Sequence, residues 1–319
     1  MIWKPGIVIL TTGMLLFGCG YLENTDLQYP MERMEMLLAS DTGQQTADLF
    51  TKDLCVITGK EESEDFMINA PAAGLFGDDK QEVLFQKNPF EQMYPASITK
   101  IMTALVTLKY ADLKDRVTVG DEVVITEAGA SMCNIRPGDT LTVEQLLYGL
   151  MLPSGNDAGN ALAIHIAGSV EAFAELMNQE AKKLGATNSH FVNPHGLHNE
   201  NHYTTVYDLY LIFHEALKYP EFKTIIQTVS YTADYVDSDG NAISQSWANS
   251  NRYLTGDRQA PEGVYVIGGK TGTTNAAGYC LILASQDTER HQYIAVILKA
   301  DSRTNLYDNM TNIIQKIVK

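Results

Sequence analysis

The sequence predicts a mixed α/β domain whose central antiparallel sheet is built from both ends of the chain. Helices flank the sheet, and a mostly helical subdomain is inserted between its two halves. Three observations carry this. Strand-like stretches fall near Ala70–Gln86 and again over Val264–Leu298. Helical periodicity dominates from Ser97 to Tyr219. The last stretch places Leu306, Met310, Ile313, Ile314 and Ile317 on one side of a helix.

In chain order, Lys4 gives a short positive start and Ile7–Phe17 an apolar run of about eleven residues. That run is too short for an ordinary transmembrane helix and fits a secretory signal. Residues 1–18 are therefore expected to be an export signal. Residues 19–48 are polar with little periodicity and read as a tether. The folded domain is expected over 49–319. Leu54–Thr58 has the character of a short strand, and Gly59–Asp65 of an acidic loop. Ala70–Phe76 and Val83–Gln86, split by Gly77-Asp78-Asp79, carry a hairpin signal. Pro95 precedes a helix with apolar residues at 98, 101, 102, 105 and 108, ending near Tyr110. Arg116–Ile125 is short and β-like, and Arg136-Pro137-Gly138-Asp139 is a turn. Thr142 and Gln145 have the form of a capping box opening a helix to Leu152, which Pro153 stops. Asn156–Ala167 and Ser169–Leu184 are two further helices, the second closed by Gly185. Phe191–Tyr203 is loop and Val206–Tyr219 amphipathic helix. Beyond Glu221 the chain reads as strand and loop, with strands at Val264–Thr271, Tyr279–Ser285 and Tyr293–Leu298, before the final helix.

Composition narrows the function. With 45% hydrophobic and 19% charged residues the chain is ordinary globular material. A net charge of −16 argues against nucleic acid, which needs a basic surface, and against docking on anionic lipid by charge alone. Beyond Cys19, three cysteines remain, so at least one is free; a Cys55–Cys133 bridge stays open. Cys280 lies in the apolar run Tyr279–Leu283 and reads as a buried small hydrophobe. No Cys-x-x-Cys pair supports structural zinc. His195, His198, His202 and Glu200 crowd one loop, but not with the His-Glu-x-x-His spacing that fixes a metal on a helix. No metal and no cofactor is expected.

Three short motifs carry the chemistry. Ser97-x-x-Lys100 opens a helix, so a hydroxyl and an amine share one face at the positive end of the helix dipole. That suits a nucleophile beside its base. Ser154-x-Asn156 falls in a loop between two helices, and Lys270-Thr271-Gly272 on a strand. Each is weak alone. In this order and these contexts they resemble the serine penicillin-recognising enzymes of the β-lactamase/transpeptidase-like superfamily. Gly155 stands where many members carry Asp, a departure common in the D-alanyl-D-alanine carboxypeptidases, the low-molecular-weight penicillin-binding proteins. Pro95–Leu105, Leu146–Ala158, Phe191–Leu197 and Ala277–Leu281 resemble that subfamily too, and the likeness runs from about residue 50 to the end.

The resemblance implies a serine-type peptidase that removes the terminal D-alanine from peptidoglycan pentapeptides through an acyl-enzyme on Ser97, with β-lactams as covalent inhibitors. Lys100 acts as base only when neutral; burial and a second ammonium, from Lys270, would lower its pKa. Ser154 relays a proton to the leaving amine. Asn156 holds Lys100 and the substrate amide. Lys270, Thr271 and Thr273 bind the terminal carboxylate, helped by Arg303, and Gly272 lets the strand approach the substrate. The backbone N–H groups of Ser97 and Thr273 form the oxyanion hole. Leu16-Phe17-Gly18-Cys19 resembles a bacterial lipoprotein signal. This implies cleavage before Cys19, lipidation of its thiol and an exported protein on the outer face of the cytoplasmic membrane. The chain stops at Lys319 just after the final helix, so the anchor role is expected to fall to Cys19. Two rivals remain. A β-lactamase would need a water-positioning carboxylate between the second and third motifs, where only Glu200 is offered. A non-catalytic penicillin-sensing or wall-binding module would not need all three motifs.

Overall fold

The computed structural model describes residues 52–59 and 63–318. These lie in one compact unit, Leu49–Lys319. The expected signal, Cys19 and the tether lie outside the described residues.

The hairpin comes first, β1 (Ala72–Gly77) against β2 (Glu82–Lys87). A 3-10 turn, Ala96–Thr99, then runs into α1 (Lys100–Tyr110), whose residues Lys100 to Thr107 are all buried. A helix buried on every side belongs in a core. β3 (Arg116–Thr118) and β4 (Thr140–Thr142) follow. Thr142 caps α2 (Val143–Met151) through a complete capping box with Gln145. Next come α3 (Asn156–Ala167), α4 (Val170–Lys183), α5 (Val206–Ala216) and α6 (Pro220–Gln227). A second hairpin, β5 (Ser230–Val236) and β6 (Ala242–Ala248), precedes the short α7 (Arg252–Thr255). The chain closes with β7 (Tyr265–Thr274), β8 (Gly278–Gln286), β9 (Gln292–Ala300) and α8 (Arg303–Ile314).

β1 and β2 join the last three strands in one antiparallel sheet, ordered β2-β1-β9-β8-β7. The two chain ends meet along β1 and β9, with Leu75 opposite Ala295. Alternate residues of β8 face opposite layers. Leu281 and Leu283 pack with Leu306, Met310 and Ile313 of α8. Ile282 and Ala284 pack with the α1 and α5 side. Burial on both faces explains why these strands read as continuous apolar runs.

The inserted region differs from expectation. It is helical but carries its own four-stranded sheet, ordered β3-β4-β5-β6. Leu54–Thr58 is not a strand. Its backbone bonds go to side chains instead: Cys55 N–H donates to Tyr210 Oη at 2.8 Å, and Tyr207 Oη–H donates to the Cys55 carbonyl at 2.8 Å. Cys55, Cys133 and Cys280 are all free and buried, so no Cys55–Cys133 bridge forms. Among the described residues, no helix is long and apolar enough to cross a membrane.

Candidate active site

The nucleophile turn is held from three sides. Gly272 of β7 lies against it so closely that a Cβ there would meet Pro95 O at 2.9 Å, Ser97 N at 3.0 Å and Ile98 N at 3.1 Å. Gly272, expected to let the strand approach the substrate, makes its close approach here to the Ser97 turn. Gly196, at φ +83°, lies against the other side, where a Cβ would fall 1.9 Å from Ala96 O. Ala96 itself sits at φ +48°, a conformation that costs an L-residue energy and persists only when its surroundings enforce it. Thr99 Oγ1–H donates to Ala96 O at 2.8 Å and so must accept from His202 Nε2–H, also at 2.8 Å. That leaves His202 Nδ1 to accept from Val192 N–H at 3.2 Å, so one neutral tautomer satisfies every contact.

Lys100 opens α1 with its side chain fully buried. Its Nζ lies 2.7 Å from Asn156 Oδ1, 2.8 Å from the His195 carbonyl and 3.0 Å from Ser97 Oγ. The first two groups can only accept; the hydroxyl can donate. A neutral amine has two N–H donors and one lone pair, which matches this set with the lone pair on the Ser97 hydroxyl. Burial, and then the charge of Lys270, hold the Lys100 pKa well below that of an ordinary lysine.

Lys270, on β7, is also buried, and burial brings its pKa down to about 7. Its Nζ donates to Ser154 Oγ and to Thr271 O, both at 3.0 Å. Ser154 sits at φ +66°, aiming its hydroxyl at Lys270. Among the described residues Ser154 makes no hydrogen bond to Lys100. Thr271 Oγ1 is paired with Ser250 Oγ at 2.6 Å.

Ser97, Asn156 and Thr273 line one cleft of about 510 Å³, together with Glu127, His195 and His198. Arg303 does not line it; it is exposed at the first turn of α8. Glu200 lies outside the cleft as well, on a neighbouring pocket.

Two supports have no motif to announce them. The His195 carbonyl that receives Lys100 is a backbone group; its only sequence signal is the loop Asn193–Gly196, where Asn193 Oδ1 accepts from Gly196 N–H at 2.7 Å. The Asp157 carboxylate accepts from the N–H groups of Cys133 at 2.9 Å and Asn134 at 2.8 Å. It thereby ties the cleft-lining segment near Ser131 to the start of α3. Among the described residues, no cluster of His, Cys, Asp or Glu is placed to hold a metal ion.

A nucleophile turn wedged between the edge strand of a sheet and an inserted helical region, with one buried lysine on each side, defines the DD-transpeptidase and penicillin-binding protein class. The crystal structure of the Streptomyces K15 DD-transpeptidase superposes with a TM-score of 0.73 at 32% identity, covering 80% of this chain and 98% of that one. Residues 58–302 match the family described as D-alanyl-D-alanine carboxypeptidase, and the chain belongs to that family. Among curated relatives, the D-alanyl-D-alanine carboxypeptidase DacF of Bacillus subtilis is 38% identical over 249 residues, 76% of this chain and 60% of that protein. DacC of Escherichia coli is 37% identical over 232 residues, 69% of this chain and 54% of that protein. The chain thus spans a little over half the length of these relatives.

Proposed function

We propose that the chain is a serine-type D-Ala-D-Ala carboxypeptidase acting on peptidoglycan stem peptides. The observation that carries this is the surrounding of Lys100 Nζ: two obligate acceptors and the Ser97 hydroxyl, in a buried site that favours the neutral amine. Ser97 Oγ gives its proton to Lys100 Nζ and attacks the carbonyl carbon of the penultimate D-alanine. The oxyanion is received by the backbone N–H groups of Ser97 and Thr273; each such donor typically contributes about 10²–10³ in rate. As the C–N bond breaks, the leaving amine takes the proton of Ser154, which Lys270 replaces. Water then attacks the acyl-enzyme; its proton passes through Ser154 to restore Lys270, and as the ester C–O bond breaks Ser97 Oγ takes back the proton held on Lys100. Lys270, Thr271 and Thr273 receive the terminal carboxylate; Arg303 joins them only if its side chain swings in from α8. β-Lactams, which carry a carboxylate beside a reactive amide, would acylate Ser97 by the same steps.

Incubating the protein with diacetyl-L-Lys-D-Ala-D-Ala should release D-alanine, and Ser97→Ala should abolish the release. No D-alanine from the unaltered protein overturns the reading. A second reading, transpeptidation, draws support from the likeness to the K15 enzyme. It shares the acyl-enzyme and differs in the acceptor, so adding glycine to the same assay would divert acyl groups from water to amine.

We also propose that the mature chain begins at a lipidated Cys19 and is held at the outer face of the cytoplasmic membrane. The support is the sequence Leu16-Phe17-Gly18-Cys19 after an apolar run. Cys19→Ala should release the protein from membranes; a variant that stays wholly membrane-bound overturns this.

A further inference from the structure

Ser250 belongs to none of the three motifs, yet its hydroxyl is joined to one of them. Ser250 Oγ lies 2.6 Å from Thr271 Oγ1 on β7. Thr271 and Thr273 stand two apart on an extended strand, so their side chains share one face, and Thr273 lines the cleft. The segment that carries Ser250 is firmly held. Its neighbours Asn249 and Asn251 are buried, while Ser250 is exposed. Asn249 N–H donates to Val229 O at 2.8 Å, and Asn249 Nδ2 donates to Thr228 O at 2.9 Å. Asn249 Oδ1 accepts from Asn251 N–H at 2.9 Å, and Asn251 Oδ1 accepts from Tyr253 N–H at 3.1 Å. The end of α6 beside Asn249 is itself seated on β7, for a Cβ on Gly268 would fall 2.4 Å from Ile226 O. Two buried side-chain amides thus fix a short polar segment against the strand, and the residue between them presents its hydroxyl to Thr271.

We infer that Ser250 is a positioning residue for recognition of the substrate's terminal carboxylate, acting through Thr271. The inference rests on the carboxypeptidase reading, in which Thr271 receives that group. Each hydroxyl has one proton to donate. Two hydroxyls 2.6 Å apart spend one proton on each other and keep one to give away. With no carboxylate present, either direction serves. A carboxylate beside Thr271 can only accept, so it selects one direction: Ser250 donates to Thr271 Oγ1, and Thr271 donates to the carboxylate. Ser250 then holds Thr271 Oγ1 in place and polarises its O–H, because hydrogen bonds in a chain strengthen one another. No proton changes owner, so the effect falls on the binding and alignment of the carboxylate and not on the base.

The test compares benzylpenicillin with its methyl ester, which masks the carboxylate, as acylating agents of the full chain. The ratio of the two second-order acylation rates measures carboxylate recognition without any release of D-alanine. Ser250→Ala should lower that ratio roughly fivefold, the scale of one net hydrogen bond, and lower kcat/KM for diacetyl-L-Lys-D-Ala-D-Ala by a similar factor. Ser250→Thr, which keeps the hydroxyl, should restore both. A protein that is acylated by penicillin but releases no D-alanine would sink the substrate reading, and the penicillin ratio would still decide the role of Ser250. A ratio in Ser250→Ala equal to that of the unaltered protein overturns the inference, since an equal fall in both rates would make Ser250 a support of β7 alone. So does a ratio that falls in Ser250→Ala and stays low in Ser250→Thr.

Discussion

Lys100 and Lys270 are both lysines, both buried, and differ in what they touch. Lys100 faces acceptors that suit a neutral amine, while Lys270 faces Ser154 and Thr271 O, which suit an ammonium. In the proposed mechanism the pair divides the work of base and cation by environment. Because kcat/KM follows the free enzyme, it should fall as pH rises through about 7, where Lys270 loses the proton that the proposed mechanism uses to bind the substrate carboxylate and resupply Ser154. Lys270→Arg, which cannot deprotonate, should remove that falling limb at a lower plateau rate; a limb unmoved in the Arg variant would assign it elsewhere. These side chains were legible in the sequence because Ser-x-x-Lys, Ser-x-Asn and Lys-Thr-Gly are distinctive side-chain patterns. The His195 carbonyl was not, since any residue supplies a carbonyl and only the fold decides which one points at an amine. Arg303 shows the converse: the family resemblance suggested it, but the helix start that carries it is exposed and does not line the cleft.

At the level of elements, the loop from Asn193 to Thr204 clamps the nucleophile turn. Gly196 approaches Ala96 O, His202 holds Thr99, and Thr204 and Met93 pair in a short bridge. Gly196→Ala adds both a left-handed strain and a clash at 1.9 Å, so the loop must lift off the turn. Acylation of Ser97 by a labelled penicillin should slow about hundredfold, the scale of an ångström-sized misplacement. Gly168→Ala is the control: its φ is +78°, but nothing lies within 4 Å of the new Cβ. It should cost some stability and leave acylation unchanged. Similar rates in the two variants would mean that the loop does not position the turn. Elements with local signatures were readable, as in the Thr142–Gln145 box and the β1–β2 hairpin. α6 falls where the sequence reads as strand and loop, because Pro220 supplies the first position of a new helix, where its absent N–H costs nothing. β4 was missed because three residues carry no period, and Leu54–Thr58 was mistaken for a strand because two tyrosine hydroxyls, far away in sequence, satisfy its backbone.

Over the whole molecule, the buried ionisable groups of the site oppose the stability of the fold. Burial brings the pKa of both His195 and His202 down to about 3, from the ordinary value of 6.5. The folded protein thus keeps both rings neutral through pH 5, whereas the unfolded chain protonates them below 6.5. The unfolded state binds more protons, so stability falls as pH falls from 6.5 toward 3 and is fully present above 6.5. Between pH 7 and pH 5 each ring removes about 2 kcal/mol, and the two together about 4 kcal/mol. A domain with ordinary net stability of about 5–15 kcal/mol would lose a sizeable share of it. Urea midpoints across this range should track that loss. His202→Gln offers an amide N–H to Thr99 without a titrating ring. It should lower the midpoint at pH 7 and remove about half of the pH dependence that the two rings produce. A slope identical to that of the unaltered protein would mean that His202 is not kept neutral by the fold. The tautomer that aligns Thr99 beneath the nucleophile would then have to be reassigned.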